Sequence, residues 1–372
     1  MNIAIYHPSL NLFGGGEAVA LTIASEMSRH NKVDILTHYA ADKNSLEEFF
    51  DLDLSKVNIR YINKLKSKLP VPNSVKSSIL LRSSYKVFEE YDLTIDTCTN
   101  GWFDKKLKTK TICYIHFPFF HRRKKGFKRI LNPFIIKPEH AFKYNKMFCN
   151  SNFTKSIVEK MTDKPLEILY PPVQVKKIRP KGKKLNRIVT IGRFTYEKKH
   201  EIMINAFKEL AKHIKDYELH LIGSLQENEK LYDVNYFNDL RELAKGYPIF
   251  FHVNMEHKKV LRFLEESKIY WHARGFGEVN PNEYENFGIT TVEAMAAGCV
   301  PVVINLGAQP EIVNNGKSGF CWNSVKDLID ITKKIVSAKN EYKYIKEAMK
   351  DSKKYGSREF IKKFKENGIS MI

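Results

Sequence analysis

Strand-length apolar runs alternate with helix-period stretches along almost the whole chain, and this alternation limits the fold more than any other feature. Near the start, NIAIY (2–6), EAVALTIASEMSRH (17–30) and KVDILTH (32–38) read as strand, helix and strand. Parallel strands need a crossover long enough to hold a helix, so such units build parallel sheets with helices on both faces. DLTIDTC, KTICYIH, MFCNS and LEILYPP continue the series. Pro171, Pro172 and the Lys-rich VKKIRPKGKKLNR then read as a solvated linker. A second series opens at RIVTIGR and runs through YELHLIGS, PIFFHVN, KIYWHA and VPVVI. The expected fold class is α/β, with two Rossmann-like domains. A chain of 372 residues is long enough to give each domain its own core. Ligands of such sheets bind at the carboxyl ends of the strands, so the site is expected in the cleft between the domains.

Composition narrows the class. With 43% hydrophobic and 12% aromatic residues the chain can bury cores, which argues against a disordered protein. No apolar run is long enough for a membrane-spanning helix, and MNIAIYHPSL lacks the basic start of a signal peptide. Cys98, Cys113, Cys149, Cys299 and Cys321 are scattered without CxxC spacing, as expected for buried, reduced thiols of a cytosolic protein. The net charge is +20 and unevenly spread: between Lys64 and Lys137 there are seventeen basic residues against five acidic ones. A field of this size attracts phosphate-bearing substrates, an anionic membrane surface or nucleic acid.

Several constellations carry chemistry. Gly14, Gly15 and Gly16 lie between the first strand and its helix; without Cβ atoms, their N–H groups can approach a diphosphate or a sugar closely. The run is neither GxGxxG nor a Walker A sequence, and a merely tight turn would look the same. Arg193 and Lys198, in GRFTYEK, follow the first strand of the second series. A guanidinium fork and an ammonium five residues apart can converge on one diphosphate. In YENFGITTVEAMAAG, Glu285 and Glu293 flank an Asn-Phe-Gly turn that opens a small-residue helix. The free N–H groups around Gly288, Ile289 and Thr290 suit an anion, and the two carboxylates can grip sugar hydroxyls beside it. Glu293 also fits a capping box begun by Thr290. His116 ends the run YIH, where a packed core histidine is the plain alternative to a site residue. Neither HExxH, CxxC nor a paired-Asp motif marks a metal site.

The stretch from Phe117 to Lys137 interleaves aromatic and basic residues. Phe119, Phe120 and Phe127 could enter a bilayer interface while Arg122, Arg123, Lys124, Lys125, Lys128 and Arg129 meet lipid phosphates. Single-stranded nucleic acid would suit the same pattern, but no specific nucleic-acid partner is expected.

Glu285, Glu293 and the AMAAGCVPVV that follows resemble the donor-site signature of retaining glycosyltransferases of the GT-B type, in their family 4. The longer run from Tyr270 to Val313 is similar to a subgroup that includes the eukaryotic Alg11-type mannosyltransferases of lipid-linked oligosaccharide assembly. HPSLNLFGGGE, YIHFP, YPPV and IGRFTYEKKH fall in the family's order. The resemblance implies an acceptor-side domain over residues 1–175, with a final helix at about 353–372 packed back on it, and a nucleotide-sugar domain over 185–350. It implies transfer of a hexose, mannose from GDP-mannose, to a lipid-linked or other glycan acceptor, with no cofactor and no metal. Glu285 would contact the sugar near its reactive carbon and Glu293 the ribose. His116 would line the sugar pocket, and Gly15 and Gly16 would face the donor phosphate. Alanine at position 308, where relatives have glycine, adds a methyl near the expected ligand. A UDP-sugar donor and a silent GT-B module binding membrane or nucleic acid are the alternatives. The protein is expected to be cytoplasmic and peripherally membrane-associated.

Overall fold

The computed structural model describes residues 1–62, 73–98, 103–118, 141–180, 182–225, 231–338 and 341–369. The chain divides into two compact units, Met1–Pro172 with Ser357–Ile372, and Val173–Gly356.

The first unit runs β1 (Asn2–Tyr6), α1 (Gly15–Met27), β2 (Lys32–Thr37), α2 (Lys43–Phe50), β3 (Val57–Tyr61), α3 (Asn73–Phe88), β4 (Leu93–Asp96), β5 (Lys110–Ile115), β6 (Lys146–Cys149), α4 (Asn152–Val158) and β7 (Glu167–Ile168). Its strands form a sheet in the order β3-β2-β1-β4-β5-β6-β7, and every pairing is parallel. Central strands such as β1 and β4 are buried on both faces, as expected where helices cover both.

The second unit runs β8 (Leu185–Ile191), a 3-10 turn (Tyr196–Lys198), α5 (His200–Leu210), β9 (Glu218–Gly223), α6 (Leu231–Ala244), β10 (Ile249–Val253), α7 (His257–Glu266), β11 (Ser267–His272), α8 (Ile289–Ala296), β12 (Val300–Ile304), α9 (Gln309–Ile312), β13 (Phe320–Trp322), α10 (Val325–Ser337) and α11 (Tyr342–Ser352). Its sheet, β10-β9-β8-β11-β12-β13, is again wholly parallel. The order reverses between β8 and β11, so the loops leaving these two strands are where such a sheet offers a ligand crevice.

The last helix, α12 (Ser357–Phe364), belongs to the first unit. Phe360 and Phe364 are buried in the core beside α1, and Phe364 lies against Phe148 of β6. The lysine-rich segment before β8 is solvated along much of its length, with Lys176, Lys177, Arg179 and Lys183 exposed, but it is anchored at a few points. Val173 and Ile178 are buried, and the Lys184 ammonium donates to the carbonyls of Glu265 and Ala297. Those carbonyls lie at the carboxyl ends of α7 and α8, where a cation is favoured.

Candidate active site

The predicted residues fall into two clusters, one in each unit. In the second unit Lys198 closes the 3-10 turn after β8. A Cβ on Gly192 would stand 3.1 Å from Lys198 Cδ, so glycine there leaves room for the lysine stem against the strand end. The ammonium reaches Glu285 Oε2 at 2.8 Å. The same oxygen receives His272 Nε2 at 3.3 Å, and Arg274 Nη1 lies 3.6 Å from Oε1. Burial works to raise the Glu285 pKa, yet Lys198, His272 and Arg274 together hold the carboxyl well below the usual range. A partly buried carboxylate so surrounded is a fixed negative charge.

The backbone under Glu285 is pinned from behind. Gly307 has φ +62, and a Cβ there would stand 2.5 Å from the Glu285 carbonyl oxygen. The Ala308 N–H donates to that same carbonyl at 2.9 Å. Ala308 itself is buried with φ −86, an ordinary conformation, so its methyl packs inside the fold. Gly288 caps α8 with φ +116. Gln309, also buried, fills the space beside it, donating to the Phe287 carbonyl (3.1 Å) and accepting from Thr291 Oγ1 (2.9 Å).

These ties aim the start of α8. Gly288, Ile289 and Thr290 provide its first N–H groups, which precede any intrahelical acceptor. Thr290 Oγ1 is fixed by Tyr270 OH at 2.8 Å. Because the helix begins at Ile289, Thr291 is the third helical residue and Glu293 the fifth. The capping-box alternative for Glu293 is therefore not formed. Its carboxylate instead meets His257 Nε2 at 3.3 Å, and that hydrogen bond raises the His257 pKa.

Arg193 and Lys198 have different carboxylate partners. Lys198 is turned inward, with its side chain 19% exposed. Arg193, 54% exposed, pairs with Glu197 at 3.5 Å. The paired anion differs for each: the partly buried Glu285 for the lysine, and Glu197, four residues on, for the arginine.

In the first unit, Gly14 caps α1 and Gly15 and Gly16 begin it. None of the three has a positive φ; the left-handed residue of the turn is Phe13, at φ 50. A Cβ on Gly16 would stand 3.2 Å from His7 Cε1 and 3.8 Å from His116 Nε2, so glycine here makes room for two imidazoles. Glu17 accepts from the Gly14 N–H at 3.1 Å and faces His7 Nε2 at 3.9 Å. His7 Nδ1 is bonded to Thr97 Oγ1 at 2.9 Å. His116 Nε2 is buried without a partner, and burial pushes the His116 pKa down to about 3.

Sequence reasoning passed over His272 and Arg274, although both lie in the stretch that carries the family resemblance. The signal was their place at the carboxyl end of β11, the strand at the switch point of the sheet. The basic-aromatic residues Phe119 to Arg129 lie outside the described residues. Among the described residues, no three His, Cys, Asp or Glu side chains stand together as a metal site.

Residues 174–355 match the family described as glycosyl transferases, group 1. The second unit is a group 1 glycosyltransferase domain. Among curated relatives of this glycosyltransferase is a GDP-Man:Man(3)GlcNAc(2)-PP-Dol alpha-1,2-mannosyltransferase of Dictyostelium discoideum. It is 22% identical over 95% of this chain and 81% of its own length. The Xenopus laevis protein of the same name is 25% identical over 87% and 77%. An alpha-1,3/1,6-mannosyltransferase, ALG2, of Dictyostelium discoideum is 24% identical over 91% and 90%. Among solved structures, Anabaena HepE in complex with UDP and glucose aligns with a TM-score of 0.73 at 15% identity, covering both chains completely. Sucrose-phosphate synthase from Thermosynechococcus elongatus gives 0.72 at 11%, covering 100% of this chain and 99% of its own. The two parallel-sheet units are those of the GT-B fold.

Proposed function

We propose that this glycosyltransferase moves mannose from GDP-mannose to a lipid-linked glycan, forming the new bond on the face from which the nucleotide leaves. The observation that carries the reading is the partly buried Glu285 carboxylate, 2.8 Å from Lys198 and just ahead of the open start of α8. When the glycosidic bond breaks, negative charge gathers on the β-phosphate. A cation and oriented N–H groups aimed at that charge stabilise the transition state more than the ground state. Lys198 and the 288–290 amides are the groups suited to that task. Glu285, acceptor-only and charged, is suited to take hydrogen bonds from hexose hydroxyls, and Glu293 from ribose.

The donor and acceptor are proposed from the relatives, whose names specify GDP-Man and a dolichol-linked acceptor. A UDP-sugar donor is the second reading, supported by a like-folded protein in complex with UDP. Thermal-shift titration with GDP, UDP, GDP-mannose and UDP-glucose separates them, because a ligand of the native state raises apparent stability according to its affinity. The expected result is a shift with GDP and GDP-mannose, and release of GDP that Lys198→Met reduces about 10²-fold. No shift with any of the four, or full turnover by Lys198→Met, refutes the reading.

The acceptor side is proposed to work against an anionic membrane surface in the cytoplasm. The support is the local basic excess of residues 64–137. Stronger co-sedimentation with phosphatidylserine vesicles than with phosphatidylcholine vesicles is the expected outcome. Equal binding counts against it.

A further inference from the structure

We propose that His272 is the positioning residue for Glu285, holding the carboxylate in place through its Nε2–H while Lys198 turns to the diphosphate. The inference rests on the nucleotide-sugar reading above. Glu285 Oε2 is shared between Lys198 at 2.8 Å and His272 at 3.3 Å. One ammonium cannot keep its full grip on that oxygen and also neutralise an incoming diphosphate. Arg274 stands 3.6 Å from the other oxygen, and its Nε is committed to the Glu283 carbonyl at 3.2 Å. His272 is the partner with neither a second task nor freedom to leave.

Its fixity comes from the fold. His272 is the last residue of β11, in register with Val303 of β12. Its carbonyl accepts from the buried Trp322 Nε1 at 3.2 Å, and its side chain is 6% exposed. Lys198, by contrast, ends a flexible four-carbon stem on a short 3-10 turn, and can swing while its backbone stays put.

The ring's protonation state agrees. Nδ1 is buried without a partner, so a second ring proton would sit on an N–H with no acceptor, whereas the neutral Nε2–H tautomer satisfies Glu285. Burial lowers the His272 pKa; Glu285 opposes this, and Lys198 and Arg274 add to it. A neutral donor also has no charge of its own to be drawn to the phosphate.

Gln and Asn in place of His272 provide the test, since they offer the same amide at two reaches. His272→Gln carries an N–H to the station of Nε2, and His272→Asn stops at that of Nδ1. Nucleotide-induced thermal shifts with GDP and UDP are expected to match wild type in both variants. Turnover of whichever donor the wild type uses, GDP-mannose or UDP-glucose, is expected to lose about 10²-fold in kcat for His272→Asn, with donor KM changed less than about threefold, and to be largely restored in His272→Gln. Wild-type kcat in His272→Asn, or equal losses in both variants, overturns the positioning role. A wild type that binds neither nucleotide and turns over neither donor overturns the parent reading, and this inference with it.

Discussion

Gly288 shows how narrowly the donor turn is built. Its φ of +116 lies where L-residues are strained, and a Cβ would fall 2.3 Å from Gln309 Nε2. Gln309 cannot retreat without releasing Phe287 O and Thr291 Oγ1. Gly288→Ala is therefore expected to destabilise by about 2 kcal/mol or more, since strain of 1–3 kcal/mol is typical of such positions. Loss of the bonds to Gln309 would add to it. Denaturant unfolding measures the stability, and the donor KM should rise with it. A second residue-scale effect lies in the first unit. Asp96, at the end of β4, is buried, receives the Tyr144 hydroxyl and accepts from Cys98 N–H at 2.8 Å. Burial pushes its pKa up to about 7 against those hydrogen bonds. A carboxyl whose folded pKa exceeds its unfolded value favours folding when protonated. This contribution is fully present below the ordinary Asp pKa and is lost as pH rises through about 7. Asp96→Asn should flatten that part of the stability-versus-pH curve between pH 4 and 7. An unaltered slope would assign it to other groups.

At the scale of elements, Lys184 shows one cation serving two helices. Its ammonium donates to the Glu265 and Ala297 carbonyls at the carboxyl ends of α7 and α8, and it is half-buried. Lys184→Met keeps the stem but leaves both carbonyls without their donor. A loss of about 1–3 kcal/mol in chemical denaturation is expected. Much of this level was legible in the sequence. Central strands such as β1 and β12 announced themselves as apolar runs because both of their faces are covered. Two strands did not, β3 and β13, and both lie at sheet edges. VNIRY has polar positions where an edge meets water, and FCW is too short for its period to be read. The helix start of α8 was misplaced for a different reason. Thr290, Thr291 and Glu293 resemble a capping box, but Gly288 can adopt the left-handed cap that begins the helix earlier. At the site, Glu285 and Lys198 were legible because their segments carry sequence motifs. Their contact was not, since 87 residues separate them. The role of His272 was hidden because a histidine at the end of an apolar strand has no pattern of its own.

At the scale of the molecule, α12 is the piece whose loss should be felt far from where it lies in sequence. Phe360 and Phe364 are buried in the first unit's core. Together they should contribute about 4 kcal/mol or more by area burial, and removal leaves a cavity besides. Phe360→Ala with Phe364→Ala is expected to lower the melting temperature of the first unit while nucleotide binding in the second persists. Calorimetry with and without GDP would report this as two separated transitions. A single transition moved as a whole would instead mean that the units unfold together. The GT-B architecture itself was legible from the two alternating series and the order of the motifs.

The chain's excursion through the second unit before it comes back to finish the first has a consequence during synthesis. Val173–Gly356 is one uninterrupted segment, so it can complete itself once it clears the ribosome. The opening 172 residues must wait, the core beside α1 still lacking Phe360 and Phe364, until Ser357 onward emerges. The half translated first is thus sealed last, and in that interval the apolar gap beside α1 is what a chaperone would be drawn to.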